Sequence, residues 1–116
     1  MATDTLTFKR GDTWKLYLTE QDFFAPLADL STASATLQVR HKRSNILLAE
    51  ADSSTGGIVL HDVSKTAVIV LVSAITELLE PGLHEFDLEI VYTDGSVQSS
   101  KTFDLRVEKD ITYVNS

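Results

Sequence analysis

From Pro81-Gly82 onward the chain carries a strict alternation of apolar and charged residues, turned once at Asp94-Gly95 and then resumed. A period of two over this length is the mark of a β-hairpin, because successive side chains of a strand point to opposite faces. Phe86, Leu88, Ile90 and Tyr92 fall on one parity, and Glu85, Asp87 and Glu89 on the other. Such a hairpin lies with its apolar side on a core and its charged side in water.

The same reading extends to the rest of the chain. Leu6 and Phe8 alternate with polar residues, Arg10-Gly11-Asp12 interrupts them, and Trp14, Leu16 and Leu18 resume the pattern. Two short strands separated by a turn or bulge fit this run. Glu20 to Ala25 reads as a turn and Pro26 to Thr32 as a loop. Ala35, Leu37 and Val39 mark a third strand, Ile46 to Ala49 a weaker one, and Ile58 to Leu60 and Thr66 to Val72 two more. Ser73 to Leu79 is the one plausible helical turn, with Ser73 or Thr76 as its cap and Pro81-Gly82 as its stop. Six to eight strands, about 8 to 12 residues apart, predict an all-β fold: an antiparallel β-sandwich with one short helical turn. At 116 residues and 43% hydrophobic, the chain has room for a single domain, residues 1–116, with its own core. The parities place Trp14, Leu37, Leu71, Phe86, Leu88 and Phe103 in that core.

One strand breaks the alternation. In Thr66 to Val72 both parities are apolar, with Ala67, Ile69 and Leu71 on one side and Val68, Val70 and Val72 on the other. A strand with one face in water does not carry apolar residues on both, so something covers the second face. Either the 73–80 turn folds over it, which is the expected cover, or another chain does. In the latter case Val68, Val70 and Val72 form a protein interface.

Chemistry leaves few traces. His41, His61 and His84 are scattered without ligand spacing, so no metal site is expected. No Gly-x-Ser-x-Gly elbow holds a nucleophile, and Gly56-Gly57 lacks the helix that a phosphate-cradling loop requires. The row Glu85, Asp87 and Glu89, with Asp104 and Glu108 beside it, sits on a solvated face and reads as edge protection and solubility. No catalytic residue and no cofactor is expected, and the chain is read as non-enzymatic. A net charge of −7 disfavours nucleic acid, and the basic run Arg40 to Arg43 reads as a solvated turn. The longest apolar run is too short to span a bilayer, the N-terminus does not resemble a signal peptide, and the absence of cysteine fits cytosolic synthesis. Trp14 reads as a core anchor; Tyr17 and Tyr113 are the better candidates for exposed aromatics.

The order of these signals resembles a known family. Arg10-Gly11-Asp12-Thr13-Trp14 leads into an alternating strand, and Pro26-Leu27-Ala28-Asp29-Leu30 precedes Ala33-Ser34-Ala35-Thr36-Leu37-Gln38-Val39-Arg40. Leu71 to Leu79, Pro81-Gly82, Phe86-Asp87-Leu88 and Asp94-Gly95 follow. Together they resemble the immunoglobulin-like domain of tailed-bacteriophage baseplate upper proteins, which recurs as small stand-alone phage proteins. The likeness runs from about Phe8 to Thr112. Thr32 stands where the family usually has glycine, and Leu83-His84 where an aromatic residue follows Pro-Gly. The resemblance implies an immunoglobulin-like sandwich and a structural or adaptor role in the virion, in the tail or baseplate. It implies other virion proteins as partners; the doubly apolar strand Thr66 to Val72 adds another copy of the chain, a homo-oligomer, as the alternative partner, and the acidic, cysteine-free composition agrees with assembly in the host cytoplasm. A capsid-surface decoration protein and a host-surface or carbohydrate-binding module are the alternatives.

Overall fold

The computed structural model describes residues 5–109. Tyr113 and the last part of the matched stretch, through Thr112, lie outside them. Nine strands follow one another: β1 (Thr5–Lys9), β2 (Trp14–Thr19), β3 (Ser34–His41), β4 (Leu47–Asp52), β5 (Ile58–His61), β6 (Thr66–Leu71), β7 (Gly82–Val91), β8 (Val97–Ser99) and β9 (Phe103–Glu108). Among the described residues a single short α-helix, α1 (Ser73–Thr76), stands between β6 and β7, and Glu20–Asp22 forms a 3₁₀ turn.

The strands divide into two sheets, one in the order β1-β9-β7-β3-β4 with β8 attached to β7, the other in the order β2-β6-β5. The second is the B-E-D half of an immunoglobulin domain, and β3, β7 and β9 stand as C, F and G, with β4 added beside C. The fold is therefore an all-β, immunoglobulin-like sandwich with one short helical turn. It departs from the purely antiparallel expectation at one place, since β1 pairs with β9 in parallel, Leu6 opposite Leu105 and Phe8 opposite Val107. Gly11, at φ +87°, then turns the chain into β2 in the opposite sheet, so the first two strands are not a hairpin.

Alternation puts the core where the two sheets face each other. Trp14, Leu37, Ile69, Leu71, Phe86, Leu88 and Leu105 are buried there, with Phe103 stacked on Phe86 at 5.2 Å between ring centroids. The six residues assigned to the core from parity are all buried.

The long hairpin differs from its sequence pattern in its return strand, which is split. β8 pairs with Glu89–Val91 and β9 with Gly82–Phe86. Between them Ser100 exchanges backbone bonds locally: its N–H goes to the Leu88 carbonyl and its hydroxyl oxygen accepts the Leu88 N–H at 2.9 Å. The Lys101 N–H goes instead to the Asp22 carbonyl of the β2–β3 connection. Tyr92 fastens the same end by accepting the Ala28 N–H and donating to Gln98 Oε1.

The opposite end is closed by α1 and the residues after it. Val72, not Ser73 or Thr76, is the N-cap, and no side chain caps the helix. Thr76 is fully buried, and its hydroxyl donates to the Asp12 carbonyl at 2.6 Å, while Arg10 Nε donates to the Glu77 carbonyl. The Arg10-Gly11-Asp12 turn is thus a brace for this corner. Thr76→Val keeps the shape and strands the Asp12 carbonyl, so we expect a loss of about 1–3 kcal/mol, with Thr76→Ser milder because it keeps the bond. Urea unfolding midpoints of the two variants check this.

Candidate functional site

Three places bear on function: the outward face of the larger sheet, the His41–His84 contact, and the outward face of the three-stranded sheet.

On the larger sheet the strand register puts Glu85 between Arg40 and Asp104, Asp87 opposite Gln38, and Glu89 opposite Thr36. The carboxylate row of β7 lines an open cleft of about 320 Å³ together with Gln38, Arg40 and Asn45. Much of its polar capacity is spent internally. Arg40 donates to Gln38 Oε1 and to the Asn45 carbonyl, Gln38 donates to Glu50, and Lys42 pairs with Asp104 at 2.7 Å. The basic run Arg40 to Arg43 accordingly spans the end of β3 and the hairpin turn after it, and in it Arg40 and Lys42 serve the sheet. Among the described residues, no group of three or more His, Cys, Asp or Glu side chains is placed to hold a metal ion. No helix among them is long and apolar enough to cross a membrane.

Sequence spacing gave no sign that two histidines meet. The β3–β7 pairing sets His41 directly opposite His84, with ring centroids 5.6 Å apart and edge to face. His84 is buried and its Nε2 lies 2.7 Å from the Glu80 carbonyl, which can only accept, so Nε2 carries the proton; among the described residues Nδ1 has no partner. Immunoglobulin domains commonly place a tyrosine here, near the start of strand F, bonded to backbone just upstream. His84 does the same work, which makes it a corner brace.

The outward face of β2-β6-β5 is different in kind. β6 is the central strand, and its register puts Val68 between Tyr17 and Val59, Val70 beside Lys15, and Thr66 between Thr19 and His61. No carboxylate occupies an outward position of these three strands. Tyr17 is 60% exposed, Val59 and Val72 each 48%, and Val68 and Val70 are half-buried. Residues 73–80 do not fold over this surface. Thr76 and Leu79 turn into the core, and Ile75 shares with Val70, Val72, Gly57 and Glu50 the lining of a shallow hollow of about 240 Å³. The intramolecular cover preferred in the sequence reading is therefore confined to one end of the stripe. It fails at Val68 because the chain needs those buried groups to seal the corner.

Charge on the loops is held by short local bonds. Asp62 takes the Lys65 ammonium at 2.6 Å and the Leu30 N–H at 2.9 Å, and these two bonds, in that order, hold its carboxyl below the usual carboxylate value. Asp29 and Asp94 are lowered likewise by the hydroxyls and then the N–H groups of Ser31 and Ser96. A carboxyl with a depressed folded value contributes stability above its unfolded value of about 4, and the contribution disappears as pH falls through the depressed value. The stability gap between the parent and Asp62→Asn is therefore expected to be present at neutral pH and to shrink in acid. Urea titrations at about pH 7 and about pH 3 measure that change.

Comparison with known proteins adds little. No family model matches the chain, and no curated protein matches it. Among solved structures, the extracellular domains 3–5 of Drosophila OTK align with 96% of this chain at 16% identity and a TM-score of 0.42. The alignment covers 34% of that protein's chain, so this chain spans about a third of it. The fold assignment rests on strand order and register, and no function is taken from this likeness.

Proposed function

We propose that this chain is a non-enzymatic structural and adaptor protein of a bacteriophage virion, in the tail or baseplate, made in the host cytoplasm. The sequence resemblance supplies the virion setting. The observation that carries the interaction role is the outward face of β2-β6-β5, where Tyr17, Val59, Val68, Val70 and Val72 form an apolar surface whose strands carry no carboxylate, with Glu50 at the hollow beside Val70. A chain with net charge −7 that keeps carboxylates off the strands of one sheet face has a surface suited to burial against protein.

The corresponding experiment tags the protein and locates it on purified virions by electron microscopy, alongside Val68→Lys. Label at the tail or baseplate, with the folded Val68→Lys variant missing from particles, is the expected result. Label on the head moves the protein to capsid decoration. Absence of the parent protein from particles overturns the virion reading, and normal incorporation of Val68→Lys moves the contact to another surface.

A further inference from the structure

We infer that the occupant of the β2-β6-β5 face is a second copy of this chain, packed face to face about a two-fold axis that runs along β6. The inference rests on the reading of that face as a contact surface and goes on to name what fills it.

Charge selects the occupant. Glu50, Glu85, Asp87, Glu89, Asp104 and Glu108 face outward on the larger sheet, against Lys9, Arg40, Arg106 and the Lys42 that pairs with Asp104. Two copies meeting through that sheet bring acidic surface onto acidic surface. Meeting through β2-β6-β5 puts three sheet-to-sheet gaps between the two acidic faces. At about 10 Å each these separate the faces by about 30 Å, several times the Debye length of about 8 Å at physiological salt. The face offers Lys15 as its one fixed charge on the strands, so it has nothing to steer a charged protein, a nucleic acid or an anionic bilayer. What matches it is another apolar sheet whose strands carry no carboxylate, and the chain itself presents one.

Shape selects the axis. Across the central row the side chains run Tyr17, Val68, Val59, a large residue on one flank and a small one on the other. A two-fold axis along β6 lays β2 of one copy over β5 of the other, so that each Tyr17 covers a Val59 and Val68 meets Val68. An axis across the strands stacks Tyr17 on Tyr17 and leaves Val59 facing Val59 across a gap, which close packing disfavours. Aligned sheets cross at about 30°, which shifts the flanking pairs by only about 2.5 Å, within reach of a tyrosine ring. With strands about 4.8 Å apart and residues about 3.3 Å apart along them, the flat area covered is about 300 Å². Over both copies that is about 600 Å², below the roughly 1,200 Å² at which stable specific interfaces begin, so the dimer is expected to be weak and transient, with a dissociation constant between about 10 and about 500 µM.

The test is sedimentation equilibrium of the parent protein from about 10 to about 500 µM, followed by directed cross-linking. The chain has no cysteine, so introduced thiols report without background. A reversible dimer is expected, weakened at least about tenfold in Val68→Lys while circular dichroism stays native. A short bis-maleimide should link Val68→Cys to itself, and should link a mixture of Tyr17→Cys and Val59→Cys but neither of these alone. A monomer throughout the concentration range, or a Val68→Lys dimer of unchanged strength, overturns the inference. Linking of Tyr17→Cys alone overturns the axis. A parent protein that stays monomeric while Val68→Lys is still lost from virions removes the second copy and leaves the proposed function standing. A dimer from a protein absent from virions does the reverse.

Discussion

Phe86→Ala is expected to destabilise the domain by about 3–5 kcal/mol, the range for removing a large core aromatic. Phe86 is 2% exposed, sits opposite Val39 and Phe103 on the two neighbouring strands, and stacks on the Phe103 ring. Its removal leaves a cavity between rigid sheets that cannot close over it, and the aromatic pair is lost as well. In a domain of this size each kcal/mol moves the melting temperature by about 4 °C, so a fall of about 12–20 °C is expected by calorimetry. Phe86→Leu, which refills most of the space, should fall by clearly less. An unchanged melting temperature in Phe86→Ala would mean that the strand faces inward on its other parity.

The second large effect is a contrast between neighbours on β6. Ile69 is fully buried and Val68 is half-buried on the opposite face. Ile69→Lys forces an ammonium into the space between the sheets with no partner, at a cost of at least about 4 kcal/mol when lost packing and desolvation are combined. That is comparable with the whole stability of an ordinary domain, about 5–15 kcal/mol, so the variant is expected to be largely unfolded. Val68→Lys lays its stem along Tyr17 and Val59 and keeps its charge in water, and should lie within about 1 kcal/mol of the parent. Circular dichroism and urea unfolding of the two variants separate them. Equal losses would show that the outward face is as closed as the core, and the case for a docking surface would fall with that result.

The elements most legible in the sequence are those with one solvated face. On β7 the alternation of Glu85, Asp87 and Glu89 with Phe86, Leu88 and Ile90 states which way each side chain points, because the period of a strand is fixed by its backbone. The Asp94-Gly95 turn and the Pro81-Gly82 stop are equally local. The break in the return strand was not legible, since it depends on Ser100 satisfying Leu88 while Lys101 reaches Asp22, a residue far away in the chain. The helical turn was placed correctly, yet Thr76, expected as a cap, is a buried link to Asp12.

By itself the sequence determined the parity of the strands, the core residues on them, and the doubly apolar character of Thr66 to Val72, since all three follow from local backbone geometry. Tertiary structure alone decided which strands are neighbours. Pairing across tens of residues is fixed by the whole sandwich closing at once, and no short window of the chain encodes it. That is why the parallel seating of β1 on β9 and the meeting of His41 with His84 emerge only in the folded chain. For the same reason Val68 acquires Tyr17 and Val59 as flanking neighbours, and residues 73–80 are drawn into the core and away from the face that they were expected to cover.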